Sequence, residues 1–111
     1  MRYWDLTQIK APAGTRDPVV LATDDAARAV VIALAPGQEL GDHEVTERAW
    51  ITVVEGTVEV ATDNEQRECS AGTLMTFEPH ERRAIRSESG ARILMLLAPW
   101  PGEGHFRGHS R

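Results

Sequence analysis

Residues 49–62 read AWITVVEGTVEVAT, two runs of alternating apolar and polar side chains that meet at Gly56. Val, Ile and Thr dominate them, as residues on a pleated, half-buried surface should. Short apolar or alternating runs continue on both sides, in residues 29–34 (AVVIAL), 65–69 (EQREC), 73–77 (TLMTF), 83–87 (RAIRS) and 91–97 (ARILMLL). Between the runs stand Pro36-Gly37, Gly41-Asp42, Asp63-Asn64, Ala71-Gly72, Glu78-Pro79 and Ser89-Gly90, residues that form turns at intervals of about 8 to 12 positions. Helical periodicity is nearly absent. The expectation is an all-β barrel or sandwich, with Asp63-Asn64 as a two-residue hairpin loop because both residue types tolerate positive φ.

Residues 1–28 differ, since Pro12, Gly14 and Pro18 interrupt any period. They read as a strand or arm over residues 2–9, a loop, and a short strand near residues 19–21. Residues 98–111, APWPGEGHFRGHSR, are too rich in Gly and Pro to continue a strand and should form a surface tail. One domain results, with an arm over 1–28, a barrel over 29–97 and a tail over 98–111. Trp4 in the arm is placed to cover the sheet edge of a second copy, so a homodimer is expected.

The chain of 111 residues is 41% hydrophobic and 26% charged, the proportions of an ordinary globular domain. Seventeen acidic against twelve basic residues give a net charge of −5, which opposes binding to a phosphate backbone. Arg82, Arg83, Arg86 and Arg92 form the densest basic group, but Glu78, Glu81 and Glu88 are interleaved and strand alternation divides the arginines between faces. No nucleic-acid partner is expected. No run of about 18 apolar residues exists for a membrane span, and charges occupy the start where a signal peptide would be apolar, so a cytoplasmic location is expected. The single cysteine, Cys69, excludes an internal disulfide and reads as a small strand residue.

Two segments carry the candidate chemistry. In APGQELGDHEVTERAWITVVEGTVEV (residues 35–60), Gly37 is followed by five residues and then His43, and Gly56 closes the segment. In AGTLMTFEPHERRAIRS (residues 71–87), Gly72 and Pro79 precede Arg83. This pair of spacings resembles the two motifs of the cupin superfamily, small jelly-roll β-barrels, over about residues 29 to 97. The resemblance implies a site where imidazole and carboxylate side chains hold a divalent metal inside the barrel. Carried over position by position, the ligands are His43, Val45, Ala49 and Arg83, so only the first is retained. Glu47 shares the face of positions 43 and 45 in an extended strand. Two donors are too few for a stable centre, and a permanently charged guanidinium repels a cation. No cofactor is therefore expected.

The expected ligand-binding residues are His43, Glu47 and Arg83, with the planar donor fork of Arg83 suited to a carboxylate or phosphate. The sequence leaves open that Arg83 pairs with Glu47 or another acid and only fills its position. It also leaves open an acid/base dyad of His43 and Glu47, of the metal-free kind the resemblance implies for some epimerases and isomerases. Whether the chain is an enzyme is undecided at this stage. Two further readings stand beside small-molecule binding. One is a metal-dependent dioxygenase or isomerase with His43, Glu47 and His80 as an unusual ligand shell. The other is a non-enzymatic interaction or structural module whose lumen is closed by Val45, Ile51, Val53 and Ile85. Alternation from Ala49 further places Trp50 outside the lumen, against a second sheet or subunit. His105 and His109 read as parts of the exposed tail.

Overall fold

The structure is a computed structural model that describes residues 1–15, 17–41 and 45–100. His43 and the tail histidines His105 and His109 lie outside the described residues. Eight strands follow in chain order: β1 (Val19–Thr23), β2 (Arg28–Leu34), β3 (Gln38–Glu39), β4 (Arg48–Thr62), β5 (Gln66–Ser70), β6 (Leu74–Phe77), β7 (Arg83–Ser87) and β8 (Ala91–Ala98). All pairings are antiparallel. The order is β1-β2-β8-β4-β7-β3, and β5 and β6 also pair with β4. No helix among the described residues is long and apolar enough to cross a membrane.

The two runs that meet at Gly56 form one strand of 15 residues, and that strand organises the fold. Its first half pairs with β8 and β6, and its second half pairs with β5 and β7. The junction is a bulge, where the register with β8 shifts between Val53 and Glu55. An extra residue at a bulge reverses which side chains face inward. Hence Ala49, Ile51 and Val53 point into the core before the bulge, and Val58 and Val60 point into it afterwards. One strand thereby serves two curved faces around a common interior.

That interior is filled by Val30, Ile32 and Leu34 of β2, the inward residues of β4, Phe77, Ile85, Ile93, Met95 and Leu97. Trp50 is half-buried on the opposite face of β4, as alternation requires. The Asp63-Asn64 loop closes the β4–β5 hairpin, with the Thr62 amide donating to the Glu65 carbonyl at 2.8 Å. At the other end of β7 the Ser87 hydroxyl, fully buried, donates to the Thr57 carbonyl at 2.6 Å. A neutral buried hydrogen bond contributes about 1 kcal/mol, and its loss strands an acceptor. Ser87→Ala should therefore lower the unfolding free energy by about 1 to 2 kcal/mol in urea titration.

The arm differs from its expected form. Residues 2–9 form no strand, because Asp5 Oδ1 accepts from the Thr7 amide at 3.1 Å and the Thr7 hydroxyl at 2.7 Å, folding the chain into a turn. The turn is tied to β8 of the same chain, where Arg92 Nη1 donates to the carbonyls of Ile9 at 2.6 Å and Leu6 at 3.3 Å. Strand β1 forms where it is expected and runs two residues further, and β3 is an added two-residue strand.

Candidate functional site

The site is built on β7. Alternation along that strand turns Arg83, Ile85 and Ser87 inward, and all three are buried. For Ile85 this is ordinary core packing. For Arg83 it buries a charged residue, 1% exposed. Strand pairing sets Arg83 opposite Thr62 at the end of β4. From there the guanidinium carbon lies 4.9 Å from the ring centroid of Phe77 on β6. A stacked ring supplies some attraction to a cation, but it accepts no in-plane hydrogen bond.

Among the described residues none of the three guanidinium nitrogens, Nε, Nη1 and Nη2, finds a hydrogen-bond partner, and all three are buried. The pairing with Glu47 that the sequence leaves open is not formed. Burial pushes the Arg83 pKa below its ordinary value, and the nearby Glu81 carboxylate opposes that shift only in part. The Glu81 carboxylate is held by the turn that joins β6 to β7, where its Oε1 accepts from the Glu78 amide at 2.9 Å. That turn is fastened to the start of β4 by the His80 amide, which donates to the Val45 carbonyl at 2.8 Å, and by a two-pronged Arg48–Glu78 pair at 2.6 and 2.8 Å.

The other expected residues are distributed unevenly. Glu47, 1% exposed, lies just before β4, and its Oε2 accepts from the Thr46 hydroxyl at 3.0 Å. Val45 packs against the core, so positions 45 and 47 both face inward as strand parity requires. His80 sits exposed on the turn with φ at 68°. The described part of the His43, Glu47, His80 set thus joins one buried and one exposed side chain. The positions that the sequence resemblance assigns to metal ligands fare no better. Val45 and Ala49 offer only alkyl groups, and Arg83 offers a cation, so these residues do not fit a metal ion. Among the described residues no group of three His, Cys, Asp or Glu side chains could hold one.

Ile51, Val53 and Ile85 are fully buried and close one part of the lumen. Beside them a cavity of about 280 Å³ reaches the surface between β5 and β6. Its walls include Val60, Thr62, Cys69, Met75 and Phe77, with Glu81 at one side. The Phe77 ring is thus shared, one wall of the cavity and the platform under Arg83. Sequence reasoning missed this role, because Phe77 and Arg83 flank the turn that joins β6 to β7, and only the folded course of that turn sets the ring beneath the guanidinium. Cys69, expected as a plain strand residue, is buried in β5 and contributes to the same wall.

The arginine group separates as strand alternation predicts. Arg83 enters the core, Arg86 faces Glu59 at 3.8 Å, and Arg92 meets Glu55 at 3.3 Å while holding the arm.

The sequence profile of the Cupin domain family matches residues 30–98, well over half of the chain. The chain belongs to the cupin family. Solved structures agree on the fold. A conserved protein with a double-stranded β-helix domain from Klebsiella pneumoniae superposes with a TM-score of 0.80 at 18% identity, covering 92% of this cupin and 93% of that chain. An RmlC-like cupin from Desulfovibrio desulfuricans gives 0.79 at 19% identity, covering 89% and 97%. A protein of unknown function from Rhizobium leguminosarum gives 0.76 at 24% identity, covering 89% and 97%. No curated protein matches this cupin.

Proposed function

We propose that this cupin binds a small anionic molecule at Arg83 inside the barrel, without the metal centre typical of its sequence motifs. The observation that carries the reading is the buried guanidinium whose three nitrogens have no hydrogen-bond partner among the described residues. Withdrawing a charge from water without hydrogen bonds costs several kcal/mol, and a group of opposite charge that accepts those bonds relieves the cost. A carboxylate or phosphate accepts two parallel N–H bonds from this fork and supplies the missing counter-charge. Glu47, buried close to the start of β4, and His43 on the preceding segment are assigned to the same binding region.

Isothermal titration of untagged protein against small carboxylates and sugar phosphates tests the proposal. Binding should be measurable with the wild type and lost in Arg83→Ala. Absence of binding to every compound, or equal affinity in the variant, would defeat it. Elemental analysis of the same preparation provides an independent check, since a stoichiometric transition metal that disappears in His43→Ala would favour the metal-dependent reading instead.

A further inference from the structure

We infer that the free edge of β6 takes up an extended peptide of a partner protein as an added strand, with a lysine or arginine side chain of that peptide in the cavity between β5 and β6. This goes beyond the proposed anion site at Arg83 and does not rest on it. Among the described residues β6 pairs with β4 alone. The Val53 amide donates to the Thr73 carbonyl at 3.0 Å, and the Gly72 amide donates to the Val53 carbonyl at 2.8 Å, which sets the phase of that ladder. Backbone groups alternate sides along a strand, so those of Met75 and Phe77 face β4 and those of Leu74 and Thr76 face outward. Both of the latter residues are exposed, Leu74 by 61%.

The other edges are blunted, and this one is not. Strand β1 is bulged, its register with β2 shifting between Val20 and Ala22. Strand β3 has two residues, and β5 carries Arg67 and Glu68. Bulges, brevity and charge each discourage pairing with another chain. Strand β6 keeps a regular register and holds no charge, proline or glycine. Its outward amides and carbonyls are matched by another extended backbone.

The cavity selects a side chain of that backbone. Met75 and Phe77 alternate with Leu74 and Thr76 and pack toward the core, so every second side chain of a strand added beside β6 points to the same inner side, where the cavity lies. Its lining is mixed, with hydrocarbon and ring surface from Val60, Met75 and Phe77 beside charged groups. Glu65 and Arg67 are already paired at 2.7 Å. Glu81 accepts from the Glu78 amide, and Arg83 gives it no hydrogen bond, so one carboxylate stands at the wall without a hydrogen-bonded cation among the described residues. A side chain with an apolar stem and a cationic head matches both features. The volume of about 280 Å³ corresponds to about nine water molecules, enough for one such side chain.

Calorimetric titration of the full chain with a seven-residue peptide of alternating valine and threonine and a central lysine tests the inference. Replacing the central lysine with glutamate should weaken binding at least about tenfold, and replacing it with norleucine about threefold. Glu81→Gln should abolish the preference for lysine over norleucine. Methylation of the peptide's backbone nitrogens should abolish binding, as should Thr76→Pro, which removes an outward amide and no bond to β4. On saturation, hydrogen exchange of the Leu74 and Thr76 amides should slow by about tenfold or more. Failure of the lysine peptide to bind, binding that survives backbone methylation, or unchanged exchange at Leu74 and Thr76 would overturn the added strand. Equal affinity for the lysine and glutamate peptides, or a lysine preference that persists in Glu81→Gln, would overturn the basic side chain. A dimer in sedimentation that Thr76→Pro separates would assign the edge to a second copy instead.

Discussion

Arg83→Met should make the ligand-free protein more stable by about 1 to 4 kcal/mol, although it removes the group on which binding is proposed to depend. In the folded chain the guanidinium is buried without a hydrogen bond to any described residue, and the ring of Phe77 offers only partial compensation. In the unfolded chain water solvates it fully. Methionine is unbranched and similar in reach, so it can occupy the channel of the arginine stem and pack on Phe77 without the cost of a desolvated charge. The pKa shift points the same way. A cation whose folded pKa is depressed disfavours folding while both states are protonated, and the cost fades only as pH climbs through the lowered value. The gain from Met should therefore be present in full at acidic and neutral pH. Urea titrations of wild type, Arg83→Met and Arg83→Lys check this, with Lys expected to show no such gain because it keeps a buried charge. A methionine variant less stable than wild type would mean that the guanidinium is satisfied in solution. A domain of this size would register the expected gain as a rise in Tm of about 5 °C or more.

The contrast between Arg83 and Phe77 shows which parts of the molecule a sequence reveals. Arg83 was found through the family resemblance, which carries a motif position counted from Gly72 and Pro79 onto it, and strand alternation divides it from its neighbouring arginines. Most strands were legible because one buried face imposes a period of two on β4, β7 and β8, while β2, buried on both faces, reads as a continuous apolar run. The course of the turns was hidden. Phe77 lies beneath Arg83 because the turn between them passes from β6 on the first half of β4 to β7 on the second half. The same limit applies to Arg83 and Glu47. Opposite charge suggested a pair, but parity brings both groups inward without fixing how far apart they end. Of the two forms open to residues 2–9, the strand is absent for a local reason, the side chain of Asp5 competing with extended backbone through its bonds to Thr7.

The bend itself gives the largest destabilisation expected of any single substitution. Gly56 has φ at 80°, a conformation that side chains other than glycine rarely adopt. Its missing Cβ also matters, for an atom built there would collide with the carbonyl oxygen of Gly90 and stand 3.0 Å from Ala91 Cα. Both obstacles are backbone atoms, and neither can rotate aside. They belong to the turn that leads into β8, which shares the most extensive of the β4 pairings. Relief would require that turn to move away from the bulge, breaking the register that switches inward residues from Ile51 and Val53 to Val58 and Val60. Gly56→Ala should therefore cost about 4 kcal/mol, combining the left-handed backbone penalty with steric overlap. Gly72→Ala isolates the first contribution, since Gly72 has φ at 94° and nothing within 4 Å of the added atom. Its cost should be only about 1 to 2 kcal/mol. Equal losses in the two variants would mean that Gly56 contributes backbone freedom alone, and that the approach of the Gly90 turn does not hold the bend of β4.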